Sequence, residues 1–324
     1  MCVYSREILE GLARAAPGDR WLWCYRPHRF LASLKQPLPR NCARRPLWDA
    51  LGAGGDLFHG LNQRLPARNR RRAVTTFHDL FVMTAEYSSK EFRRRLEGQA
   101  RDAAARSDHV ICVSAFTAGQ VTALLGVEAA RISVIPHGVR QLPAAGGMER
   151  ERIILSVGAV QHRKNTARLI RAFERVPAGW KLVLTGSLGF GGEEIAAQVE
   201  SSVRRADIEM TGWVDDSRLS NLYRRASVFA FPSLEEGFGI PVLEAMAHGV
   251  PVVTSNTSSM PEVAGDAAWL IDPRSEEELG HALATLAESA EAREQLAARG
   301  RARAAAFPWE AAVERTQAVY RKLL

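Results

Sequence analysis

Short apolar runs alternate with amphipathic segments along the whole chain, the rhythm of an α/β architecture with parallel sheets. The clearest step is FPSLEEGFGIPVLEAMAHGVPVV, beginning at Phe231. It predicts a strand over 227–231, a polar turn over 232–239, a helix over 240–248 and a second strand over 250–254. Upstream, RIILSVGAVQHRKNTARLIRAF predicts a strand from Arg152, a break at Gly158 and a helix after Asn165. WKLVLTG and IEMTGWVDDSRLSNLYRRA each read as a strand followed by a turn and helix. RAVTTFHDL reads as a strand over 72–80 that ends in His78 and Asp79. The pattern breaks at QLPAAGGMERE, residues 141–151, where Pro, Gly and Ala follow the strand ISVIPHGV. Three segments are therefore expected: a first domain over 1–145, a second over 146–306 and an amphipathic terminal helix over 307–324.

Ligands of parallel sheets sit where strands end and helices begin. At the turn before residue 240, Gly237 and Gly239 let the backbone approach a ligand. The amides from Gly237 through Phe238 and Gly239 to Ile240 are expected to attract phosphate oxygens, and Pro241 fits a helix start. Glu244 falls about one turn into the helix, within reach of a ribose diol. Glu236 stays on the turn, where its carboxylate would lie beside the transferred sugar. One glutamate near a helix start reads as a dipole-favoured surface residue; two carboxylates, two glycines and a proline together read as a nucleotide-sugar site. Arg163 and Lys164, on a strand-to-helix loop, suit a diphosphate. Ser114 is expected to cap a helix, and His59, His109, His137 and His162 show no metal-ligand grouping.

The segment from Phe231 resembles the E-x7-E signature of the retaining glycosyltransferases of family 4. The likeness continues through SNTSSMPEVAGDAAWLIDP, residues 255–273, similar to the family's serine-rich loop and the elements after it. The resemblance implies the GT-B fold, two Rossmann-like domains facing across a cleft. It implies that Arg163 and Lys164 neutralise the leaving diphosphate, that Trp213 and Val214 border the nucleobase, and that His78 lies near the donor sugar and acceptor. Glu236 is expected to position sugar hydroxyls. Attack is expected on the face the leaving group vacates, without a metal or other cofactor. Members usually open with a strand, a Gly-rich loop and then a helix; this chain opens on MCVYSREILEGLARAAPGDRW, which reads as the helix itself. The first strand and its loop are therefore expected to be missing, and the chain as written to be poorly stable or inactive.

At 324 residues and 46% apolar content the chain can bury two ordinary cores. Cys2, Cys24, Cys42 and Cys112 show no paired spacing and read as free thiols of a reducing cytosol. No signal peptide or spanning run stands out, so a cytoplasmic place is expected. Charge is uneven: residues 1–145 hold 22 Lys and Arg against 12 Asp and Glu, while the remainder hold 21 against 24. Arg68, Arg70, Arg71 and Arg72, with Arg93, Arg94 and Arg95 on a helix from near Ser88, suggest peripheral contact with an anionic inner leaflet bearing a lipid-linked acceptor. An arginine-rich composition without a membrane role explains them equally. Nothing resembles a nucleic-acid-binding motif. The expected activity is transfer of a hexose, foremost mannose from GDP-mannose, to a glycan or lipid-linked glycan in cell-surface polysaccharide synthesis. A UDP- or dTDP-sugar transferase and a non-catalytic nucleotide-sugar-binding remnant are the alternatives.

Overall fold

A computed structural model describes residues 3–48, 54–68, 71–140 and 150–324. Cys2, Arg70 and all of the expected domain break except Arg150 and Glu151 lie outside the described residues. In chain order the first elements are α1 (Val3–Ala15), β1 (Trp21–Tyr25), α2 (Pro27–Ser33), β2 (Cys42–Pro46), β3 (Leu57–Gly60), β4 (Arg72–Phe77), α3 (Phe81–Thr84), α4 (Lys90–Arg106), β5 (His109–Cys112), α5 (Ala115–Leu125) and β6 (Ile132–Val134). Then come β7 (Glu151–Val157), α6 (Thr166–Phe173), β8 (Lys181–Thr185), α7 (Gly192–Ser201), β9 (Ile208–Gly212), α8 (Asp216–Arg225), β10 (Ala226–Phe231), α9 (Ile240–Ala247), β11 (Val252–Ser255), α10 (Met260–Ala264) and β12 (Trp269–Ile271). Three helices close the chain: α11 (Glu276–Glu288), α12 (Ala290–Ala305) and α13 (Trp309–Leu323).

The chain divides into two compact units, the first comprising Met1–Thr84, Lys90–Gly138 and Pro308–Leu324, the second Ala85–Ser89 and Val139–Phe307. The short piece Ala85–Ser89 thus groups with the second unit although it falls inside the sequence of the first.

In the first unit β3-β4-β5-β6 form a parallel sheet, and β1-β2 form a separate parallel pair. Every residue of β4 after Arg72 is buried, because this strand is covered on both faces. On one face Tyr4, Ile8 and Leu12 of α1 pack with Val74, Ile111 and the α13 residues Trp309, Val313 and Tyr320. Gly11 lets α1 and α13 touch, since a Cβ there would collide with Val313. The other face holds Phe77, Leu80, Ala100, Ala103, Val110 and Val121. Ser114 caps α5 by accepting the amide of Thr117 at 2.9 Å.

The second unit is one six-stranded parallel sheet in the order β12-β11-β10-β7-β8-β9. From β7 the chain steps outward through β8 and β9, then returns to β10 on the other side and steps outward again. The order therefore reverses between β7 and β10, and ligands of open α/β sheets bind beyond the carboxyl ends of the strands at such a point. Leu169, Ile170 and Phe173 of α6, with Leu279 and Leu283 of α11, fill one face. Arg150 secures the other: Nη1 donates to the carbonyls of Tyr223 and Ala226 at 3.1 and 2.6 Å, and Nη2 to that of His248 at 2.6 Å. One guanidinium thus satisfies carbonyls at the ends of both α8 and α9. The helix predicted over 240–248 stops one residue earlier, with His248 at its C-cap and Gly249 following at φ +68°. The strand predicted from residue 250 starts at Val252, after Pro251, which has no amide to donate.

Candidate active site

The loops that leave β7 and β10 meet through charge. After β7, Gly158 adopts φ +137°, and a Cβ there would lie 3.1 Å from Cε of Lys164. A single helical turn, His162–Lys164, follows and ends on Asn165 in the left-handed region at φ 57°. The Asn165 amide fixes this turn by donating to the carbonyls of Pro232 and Pro273 at 3.0 and 2.7 Å. Arg163 and Lys164 are thereby presented to Glu236 on the loop after β10. Arg163 Nη1 lies 3.0 Å from Glu236 Oε2, and Lys164 Nζ lies 2.6 Å from Oε1. The Arg163 guanidinium also donates to the Glu235 carbonyl at 2.6 Å, and the Lys164 ammonium sits 4.3 Å from the centre of the Phe231 ring. Burial alone would push the Glu236 carboxyl up; Lys164 and Arg163 together hold it below the usual carboxylate range.

Consecutive serines hold the Glu236 backbone. Ser258 Oγ accepts the Glu236 amide at 3.1 Å, while Ser259 Oγ donates to the Glu236 carbonyl at 2.9 Å, with the Phe238 carbonyl 3.2 Å away. Ser258 is left-handed at φ 53°, so two of the non-glycine residues in that region, Asn165 and Ser258, flank Glu236. Gly237, Phe238 and Gly239 are buried, with the Phe238 ring set edge-on to Phe307. Gly239 needs its φ of +99° to turn the chain into α9, which opens with Ile240 and Pro241.

Glu244 lies on α9, where burial raises its pKa and the Tyr223 hydroxyl works the other way, donating to Oε2 at 3.1 Å. Val214, partly buried, and Trp213, exposed, follow β9 at the sheet edge. They stand two strands, roughly 10 Å, from β7. The second unit thus gathers Arg163, Lys164 and Glu236, with Gly237 to Glu244 in direct continuation, while Val214 follows a strand two places from β7.

His78 belongs to the first unit, immediately after β4. Its Nε2 lies 2.9 Å from the Leu61 carbonyl, which accepts only a proton, so Nδ1 is the acceptor and takes one from His137 Nε2 at 3.2 Å. The Tyr4 ring meets the His78 imidazole edge to face at 4.6 Å. Nearby, Thr76 Oγ1 lies 2.8 Å from both Tyr4 Oη and His59 Nε2, and His59 Nδ1 bonds to the Tyr320 hydroxyl. Desolvation lowers the pKa of all three imidazoles, that of His59 to about 3. His59 and His137 carried no role in the sequence reading, nor did Tyr223, Asn165 or Ser258; only folding brings them to these positions. Among the described residues no three His, Cys, Asp or Glu side chains group as a metal site.

Two Rossmann-like units in one chain, the second with a cation-bearing loop pair at its switch point, are the layout of a GT-B glycosyltransferase. Solved structures agree on the fold: sucrose-phosphate synthase from Thermosynechococcus elongatus superposes with a TM-score of 0.78 at 22% identity, covering 99% of this chain and 92% of that one. WaaG, a glycosyltransferase involved in lipopolysaccharide biosynthesis, gives 0.72 at 18% identity, covering 97% and 95%. The family profile described as Glycosyl transferases group 1 matches residues 141–303, and that described as Glycosyltransferase Family 4 matches residues 11–140. The O-antigen chain mannosyltransferase B of Escherichia coli is 34% identical over 298 residues, 86% of this chain and 78% of that protein. The MMP alpha-(1->4)-mannosyltransferase of Mycolicibacterium hassiacum is 31% identical over 78% of this chain and 64% of its own length. The chain belongs to glycosyltransferase family 4.

Proposed function

We propose that the protein is a retaining hexosyltransferase that moves mannose from GDP-mannose to a glycan or lipid-linked glycan in cell-surface polysaccharide assembly. The buried ion triad of Arg163, Glu236 and Lys164 at the switch point carries this reading. Two cations that share one carboxylate form a prepared seat for a diphosphate. Arg163, Lys164 and the amides leading into α9 neutralise the nucleoside diphosphate as it departs, so the proposed reaction requires no metal or other cofactor. Glu244 accepts from a ribose hydroxyl, Val214 borders the base, and Glu236 positions the sugar hydroxyls. His78 serves the sugar or acceptor from the first unit. The acceptor oxygen bonds to the anomeric carbon on the face the diphosphate leaves, and a phosphate oxygen takes the acceptor proton. The names of the two mannosyltransferase relatives support mannose; a UDP-sugar is the competing donor, supported by the fold neighbour Anabaena HepE, solved in complex with UDP-glucose. In a thermal-shift screen of GDP-, UDP- and dTDP-sugars, GDP-mannose is expected to raise the melting temperature most, with the shift lost in Lys164→Ala and Glu244→Ala. A shift confined to UDP-sugars would replace the donor.

The same reading places the protein in the cytoplasm, at an anionic membrane face. Among the described residues no helix is long and apolar enough to cross a membrane. Arg72, Arg101 and Arg106 pair with Asp108, Glu97 and Asp102, which lowers the net positive charge they present to lipid. The first unit also exposes Leu31 on α2 and Leu34 just beyond it, beside exposed Arg26, Arg29 and Lys35. Apolar groups among cations suit an interface, each cation adding about 1 kcal/mol near anionic lipid. The protein is expected to pellet with anionic vesicles and not with neutral ones. No pelleting with either removes the membrane from this account.

A further inference from the structure

Glu244 is held by a neighbour that the sequence motif does not contain. Tyr223, on α8, is 1% exposed, and its ring is fixed between two others: His248 stacks on it at 4.9 Å and 23°, and Phe229 packs against it at 5.7 Å. Its hydroxyl has one proton to give, and the Glu244 carboxylate at 3.1 Å lies nearer than the Pro241 carbonyl at 3.4 Å. The stacked His248 is itself tied to the same helix turn, its Nδ1 lying 2.8 Å from the Glu244 carbonyl. The Glu244 carboxylate is thus engaged through Oε2, and Oε1 has no hydrogen-bond partner among the described residues.

We propose that Tyr223 is a positioning residue for the nucleotide ribose: its hydroxyl orients the Glu244 carboxylate through Oε2 and reserves Oε1 for a ribose hydroxyl. The proposal rests on the reading that Glu244 receives the ribose. A phenol is suited to the task. Burial and the adjacent carboxylate drive the Tyr223 pKa well above its ordinary value, so the group stays a donor at every working pH. A hydrogen bond to the charged form favours that form; this one, together with the charge of Arg140, opposes the desolvation and the neighbouring charge of Asp216 that raise the Glu244 pKa. Removing the hydroxyl therefore has two consequences: the carboxylate loses its fixed orientation, and its pKa rises further.

The test is calorimetric titration of the full chain with GDP, with UDP in parallel, across pH, together with analogues lacking one or the other ribose hydroxyl. Wild type, Tyr223→Phe, Glu244→Gln and the double variant are compared. Tyr223→Phe is expected to weaken nucleotide binding about ten-fold, as expected for a lost hydrogen bond to a charged group. It is also expected to move the acid limb of the affinity profile to higher pH and to level the preference for the intact ribose. In a Glu244→Gln background the same change is expected to have little further effect. A Tyr223→Phe protein that melts lower but keeps the wild-type pH profile and ribose preference would overturn the proposal and leave the ribose reading standing. Wild-type protein that binds the deoxy analogues as tightly as the parent nucleotide would overturn both. If Tyr223→Phe fails to fold, 3-fluorotyrosine at position 223, whose more acidic hydroxyl donates more strongly, decides: the acid limb is expected to move to lower pH, and an unmoved limb overturns the proposal.

Discussion

Replacing Glu236 by alanine is expected to abolish sugar transfer, lower the melting temperature and raise affinity for inorganic pyrophosphate. The three effects have one origin. Arg163 and Glu236 are each 8% exposed, and Lys164 closes the triad at 2.6 Å, so the carboxylate neutralises two cations largely removed from water. Removing one partner of a buried ion pair costs about 3–5 kcal/mol, because a desolvated charge is left uncompensated. In a unit of this size that corresponds to a fall on the order of 10 °C. Arg163 and Lys164 then no longer share the Glu236 carboxylate, and pyrophosphate, with the charge of the departing leaving group, competes with one internal anion fewer. Addition of pyrophosphate should recover much of the lost melting temperature in Glu236→Ala and less in wild type. Glu236→Gln, which keeps an acceptor but not the charge, is expected to fall between the two. An alanine variant that melts with wild type and binds pyrophosphate no more tightly would show that the triad is not the anion seat.

The second large effect is acid sensitivity of the first unit. His59, His78 and His137 are all held below the usual imidazole range by desolvation, so the folded unit binds fewer protons than the unfolded chain once pH drops below the ordinary value. Their contribution is complete above about pH 6.5 and is lost progressively as pH falls toward the folded pKa, about 3 for His59. At pH 5 His59 alone lowers stability by about 2 kcal/mol relative to neutral pH, and the other two add in the same direction. The melting temperature should therefore fall steeply between pH 7 and pH 5. Replacing His59 with glutamine, which retains hydrogen-bonding capacity without titrating, should flatten part of that slope. A melting temperature flat over this range would contradict the assignment of neutral imidazoles to this cluster.

The two loops of the candidate site were legible in the sequence as strand-end loops because their residues are local. Glu236, Gly239, Pro241 and Glu244 lie within one βα step, and Arg163 and Lys164 within another, so spacing alone puts each group near a strand end. What joins the two steps was not legible. That β7 and β10 are neighbours is a matter of strand order, which sets two loops some seventy residues apart side by side. Tyr223 and Glu244 meet across two helices, and Ser258 reaches Glu236 from the loop after β11; residue types this common carry no signal until the chain is folded. The imidazole cluster illustrates the same limit: β3, β4, the segment after β6 and α13 each bring one member or partner of a single network. Grouping of Ala85–Ser89 with the second unit was equally invisible, since nothing in its composition sets it apart. Element types were read correctly where apolar runs were long, as in β7, β8 and β10, and bounds shifted where Pro251 and Gly249 punctuate the chain.

The most direct test of the donor assignment is turnover of GDP-mannose in the presence of a membrane-extracted glycan acceptor, followed by release of GDP and by the anomeric signal of the product. The expected result is α-linked mannose, with GDP release lost in Lys164→Ala and Glu244→Ala. A β-linked product would contradict retention, and transfer that persists in both variants would contradict the donor site described above.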